Sequence, residues 1–164
     1  MENLDINKLF ENAMNDPALL SSLDINKLLD SLENDKNDYL ENKTIESVTK
    51  EIYNKVNELD IPVEQKKHYC HLLSEYRLVN DIHELHKGKQ IKWIRPSNKK
   101  LIGGGIVLNI KFLDNGTHVL VKNQANVFIQ IKMDDVWIFQ KMTMQEQLIL
   151  LSYGYVTGAD NGTS

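Results

Sequence analysis

Apolar residues recur along this chain with two different periods, and the change from one to the other near residue 88 divides it. Before that point they lie three and four apart: Ile6, Leu9, Phe10, Ala13 and Met14, then Ile25, Leu28, Leu29 and Leu32, then Ile45, Val48, Ile52, Val56 and Leu59. Such spacing gathers them on one face of a helix. Beyond it, short apolar runs alternate with polar positions and are separated by turn residues, as in strands with one buried face.

The first two helical stretches are copies of one motif. Leu4–Asp16 (LDINKLFENAMND) recurs as Leu23–Asp35 (LDINKLLDSLEND) with eight of thirteen positions identical. Asp5 and Asp24 stand where a helix N-cap would, and Asp16-Pro17 separates the copies. Each copy is about three turns long, too short to be stable alone in water, so its apolar face needs a surface to cover. Docking in cis on the chain's own core and linked binding to a partner both satisfy that need. The residues that would bind such a partner are Ile6, Leu9, Phe10, Ile25, Leu28 and Leu29.

A polar linker follows, and a third helix is predicted from Thr44 to Leu59. Pro62 fits the first turn of a fourth, whose apolar positions (Val63, Tyr69, Leu72, Leu73, Tyr76, Val79, Ile82) continue toward Leu85, with Gly88 as its C-terminal glycine. Five strands are then expected: Gln90–Arg95, Ile106–Leu113, His118–Lys122, Val127–Met133 and Val136–Met142. Gly103-Gly104-Gly105 supplies a bend or bulge, and Asn115-Gly116 between alternating runs predicts a tight hairpin. The row Ile106, Leu108, Ile110 and Phe112 is expected to face inward. Thr143 and Glu146 form a capping box for a last helix, stopped at Gly154.

The fold class so read is α+β: N-terminal helices, then a small five-stranded antiparallel SH3-like or OB-like β-barrel, then a short C-terminal helix. The expected organisation is an acidic arm (1–43), a two-helix segment (44–87), the barrel with its closing helix (88–153) and a tail (154–164).

Charge sharpens this division. The chain carries a net −4, but residues 1–85 hold 9 basic and 18 acidic side chains whereas 86–142 hold 10 basic and 3 acidic. An acidic arm beside a basic barrel can hold its halves together or offer each to a different partner. No apolar run approaches the length of about 20 residues that spans a bilayer, and the acidic start does not resemble a signal peptide. With one cysteine, Cys70, an intracellular, reducing setting, cytosolic or nuclear, is expected.

Candidate chemistry is sparse. His68 and His71, and His83 and His86, are helix-face pairs, but a zinc site needs three or four converging ligands and no CxxC or HExxH is present. Cys70, beside Tyr69 and Leu73, reads as an inert thiol on an apolar face. No nucleophile motif or phosphate loop occurs. The reading is therefore no enzyme, no catalytic residue, no cofactor, no metal and no small-molecule substrate. A basic and aromatic barrel exterior is the better candidate: Lys92, Lys111, Lys122, Lys132 and Lys141 alternate with the apolar rows, alongside Phe128, Trp137 and Phe139. As a nucleic-acid surface it would use Lys92, Arg95, Lys111, Lys132, Trp137 and Lys141.

The segments GKQIKWI, LIGGGIVLNI and VWIFQKMTMQEQLIL, within residues 86–151, give the chain a resemblance to small barrel proteins encoded by nucleocytoplasmic large DNA viruses. The resemblance implies a virion component such as a minor capsid or assembly protein, or an accessory factor of viral DNA or transcription. The expected function is a non-enzymatic structural or assembly protein that docks on protein subunits, its own or others. The alternative is a nucleic-acid-binding accessory module.

Overall fold

The computed structural model describes the backbone of residues 35–161 and the side chains of residues 37–154. Among them are three α-helices, α1 (Ile45–Asn57), α2 (Val63–Leu72) and α3 (Met144–Asn161), and six strands. The strands are β1 (Tyr76–Val79), β2 (Gln90–Arg95), β3 (Lys100–Leu113), β4 (Gly116–Asn123), β5 (Phe128–Lys132) and β6 (Trp137–Lys141). The repeat with Ile6, Leu9, Phe10, Ile25, Leu28 and Leu29 lies outside the described residues.

The chain divides into two compact units, residues 1–48 with 142–164, and residues 49–141. In the first, Leu40, Val48, Met142, Leu148, Ile149 and Leu150 form an apolar cluster. The expected capping box starts α3: the Thr143 amide donates to Glu146 Oε1 and the Glu146 amide to Thr143 Oγ1, each at 3.0 Å. Glu146 also accepts from the Tyr39 hydroxyl at 2.8 Å. The helix continues past Gly154 to Asn161, through residues expected to be a tail.

The second unit holds the whole sheet, in the order β1-β6-β2-β3-β4-β5, antiparallel throughout. This corrects the expected fold in two respects. There are six strands rather than five, and the sheet is open, with β1 and β5 as its edges, rather than a closed barrel.

The added strand comes from the segment expected to be a long fourth helix. That helix stops at Leu72, the chain turns through Glu75 at φ 68°, and Tyr76–Val79 pairs with β6. Tyr76 and Val79, three apart, would share a face of a helix; in the strand that pairing with β6 makes they are buried on opposite faces. Gly88, with φ 81°, does not cap a helix; it ends a loop, and its amide donates to Val107 O at 2.7 Å.

The open sheet is nonetheless strongly bent. One apolar cluster draws on all six strands: Val79, Ile138, Ile91, Trp93, Val107, Val119, Val121 and Ile131. Held flat, six strands would set the edges about 24 Å apart. The bending is built into β3, whose pairing slips twice. Opposite Ile91-Lys92 the extra residue is Gly104, at φ 93°, and Leu108 is extra opposite Leu120-Val121. Each bulge adds a residue to one strand only and turns it.

The opposite, outer face is covered over half its width. Ile52 and Val56 of α1, Leu59, and Tyr69 and Leu73 from α2 and its end pack on Tyr76, Ile94 and Phe139. Strands β1, β6 and β2 are therefore buried on both faces, which explains why Trp137–Gln140 (WIFQ) does not alternate between apolar and polar residues. At one end of the inner face the polar residues Arg77, Glu84 and Gln140 are buried. They tie down the loop after β1: Arg77 Nη2 donates to the Glu84 carbonyl at 2.6 Å, and the His86 amide donates to Gln140 Oε1 at 2.8 Å. The Glu84 carboxylate accepts from the Asn80 and Asp81 amides, both at 2.7 Å.

Candidate functional site

Within this unit, where α1 and α2 end, no described residue packs over the outer face of β3, β4 and β5. Directly paired residues of an antiparallel sheet share a face, so the register sets out three rows across these strands. They are Ile106–Lys122–Phe128, Asn109–Leu120–Gln130 and Lys111–His118–Lys132, with the bulged Leu108 beside the second. Phe128 is 62% exposed, Ile106 47% and Leu108 39%. Three apolar side chains thus stand in water beside Lys111, Lys122 and Lys132, and none of the nine positions is a carboxylate.

The face is ordered by its own contacts. The His118 ring lies between Asn115 Oδ1, 3.0 Å from Nε2, and the Gln130 amide nitrogen, 3.1 Å from Nδ1. Asn115 belongs to the hairpin that the Asn-Gly pair predicted, and Gly116 there adopts φ 123°. Nothing in this arrangement offers a nucleophile paired with a base.

Of the residues expected to form a basic nucleic-acid surface, the sheet brings only Lys111 and Lys132 together, on either side of His118. Lys92 lies under the helices, its ammonium donating to the Leu72 carbonyl at 3.0 Å and sitting 5.0 Å from the Tyr76 ring centre. Trp137 is half-buried in the helix-packed cluster, with Lys55 Nζ 4.5 Å above its ring. Lys141 pairs with Tyr76 of β1, and Arg95 ends β2 opposite Lys100, each away from the open face. Phe139, expected among the exposed aromatics, is fully buried.

Ile106 and Leu108 are the site residues that sequence reasoning placed wrongly. They were expected in the core, where Gly105 and Val107 are found instead. The one signal available was the glycine run, because an inward glycine offers no side chain to mark its face.

Two clefts lie elsewhere in this unit. One, of about 370 Å³, opens between β1, β6 and the turn after β5, and includes Lys55, Asp81, Thr117, Asp134 and Trp137 in its lining. Its polar groups have structural roles: Asp81 accepts from the Ile82 amide at 2.8 Å, and Lys55 covers Trp137. The other, of about 320 Å³, lies along α1 and α2 and reaches Cys70. Burial pushes the Cys70 thiol above its ordinary pKa, so the protonated, unreactive form dominates near neutrality. Alkylation of Cys70 by iodoacetamide at pH 7.5, followed by mass spectrometry, should be several-fold slower than that of a free cysteine peptide. An equal rate would contradict this.

Among the described residues no three His, Cys, Asp or Glu side chains converge as a metal site, and no helix is long and apolar enough to cross a membrane. No family model, curated protein or solved structure matches the chain.

Proposed function

We propose that this protein is a non-enzymatic structural or assembly protein that docks on a neighbouring protein through the uncovered outer face of β3, β4 and β5. One observation carries the reading: Ile106, Leu108 and Phe128 share an exposed face with three lysines and no carboxylate. Protein interfaces combine desolvated apolar anchors with charged surroundings that set orientation and encounter rate. A platform for single-stranded nucleic acid stacks successive bases on several rings. This part of the face offers one, Phe128, because Trp137 and Phe139 are taken up in packing. The setting we propose is a virus particle, on the resemblance of the segments GKQIKWI, LIGGGIVLNI and VWIFQKMTMQEQLIL to proteins of large DNA viruses.

The test places a photo-crosslinking phenylalanine analogue at position 128 of the full chain, produced in its natural source. A crosslink to protein is expected, and it should be lost when Ile106→Asp is added. Adducts with nucleic acid alone, or a protein crosslink indifferent to Ile106→Asp, would overturn the proposal.

A further inference from the structure

Resting on that reading, we infer that the partner on this face is a second copy of the chain, which contributes its acidic repeat, Leu4–Asp16 or Leu23–Asp35. Charge is the first argument. Residues 1–34 hold seven acidic and two basic side chains, while the nine positions of the open face hold three lysines and no carboxylate.

Dimensions are the second. From Ile106 on β3 across β4 to Phe128 on β5 is two strand spacings, about 10 Å. At the rise of the helix that the apolar spacing predicts, Ile25 to Leu32 would also cover about 10 Å. The apolar positions of one motif therefore match the distance between the two apolar anchors.

Stoichiometry is the third. Each chain has two copies of the motif and, among the described residues, one such face, so two chains can fill each other's faces reciprocally with one motif apiece. Linked sites of this kind raise apparent affinity without new contacts.

The experiment uses full-length chains and light scattering after size exclusion, over a range of concentration and salt. Wild type should self-associate. The face variant Phe128→Asp and the repeat variant Leu9→Asp/Leu28→Asp should each be monomeric. An equimolar mixture of the two should recover a dimer, because each supplies the half that the other lacks. Raising the salt from low to molar concentration should weaken wild-type association on the order of tenfold. If tryptophan fluorescence shows that Phe128→Asp is unfolded, Lys122→Glu takes its place.

A wild type that stays monomeric, or a repeat variant that associates as well as wild type, overturns the inference. The two failures are separable. If association depends on Phe128 and not on the repeat, the face docks another part of the chain and only this inference falls. If association is indifferent to Phe128 and the photo-crosslink at position 128 also fails, the docking reading falls with it.

Discussion

Phe139→Ala should lose about 3–5 kcal/mol of folding stability, whereas Phe128→Ala should change it by less than about 0.5 kcal/mol. Both are aromatic residues in strands of the same sheet, and nothing in their immediate sequence separates them. Phe139 is fully buried between β1, β2 and the helices, in a cluster with Ile52, Val56, Leu73 and Ile94. Truncation there removes the transfer free energy of the ring and leaves a cavity whose walls, strands on one side and helices on the other, collapse only in part. Phe128 stands 62% exposed on an edge strand, so its ring is solvated before and after unfolding. Chemical denaturation followed by tryptophan fluorescence reads this unit specifically, because the chain's two tryptophans, Trp93 and Trp137, both lie in it. Comparable losses for the two variants would mean that the helices do not cover the β1-β6-β2 half of the sheet.

Gly105→Ala should be the most damaging single-methyl change, with a loss of about 3 kcal/mol or more, at or beyond the upper end of ordinary overpacking. A Cβ at Gly105 would collide with Val121 Cγ1 and lie 3.5 Å from the Trp93 ring. Val121 is fully buried and is paired through the backbone with Val107 and Ile129, so its methyl cannot withdraw without moving β4. Two residues earlier, a Cβ at Gly103 would meet the stem of Lys92 at 3.1 Å. That flexible chain can shift by a few tenths of an ångström, so Gly103→Ala should be tolerated within about 1 kcal/mol. For a protein of this size 1 kcal/mol corresponds to a shift of about 2–4 °C in Tm, and a thermal melt separates the two variants. Equal melting temperatures would show that β3 and β4 do not close over the core as described.

The elements announced by local chemistry were legible. Thr143 and Glu146 cap α3, Asn115-Gly116 makes the β3–β4 hairpin, and the glycine run makes a bulge, because each effect is decided within a few residues. What depended on distant pairing was not. Tyr76–Val79 continues the helical spacing of the residues before it, and becomes a strand only because β6, sixty residues later, is there to pair with it. The same holds for the sheet's faces. Alternation marks one buried side, but β6 is buried on both, so Phe139 looked like the exposed partner of an inward row. In β3 the bulge at Leu108 reverses the alternation part-way along the strand. Ile106 and Leu108 therefore read as core while forming, with Phe128, the surface on which the functional proposal stands. Lys111 and Lys132 stand among the six residues that the sequence offers for a nucleic-acid surface; that these two flank His118 follows only from the register.

The first unit is discontinuous in sequence, since Leu40 and Val48 pack with Met142, Leu148, Ile149 and Leu150 across the intervening sheet segment. During synthesis its early half therefore leaves the ribosome long before its late half has been translated. In the interval β2 can pair with β3 and β3 with β4, while Leu40 and Val48 remain without their packing partners. Leu40 and Val48 therefore wait for the late half of their cluster until α3 is made.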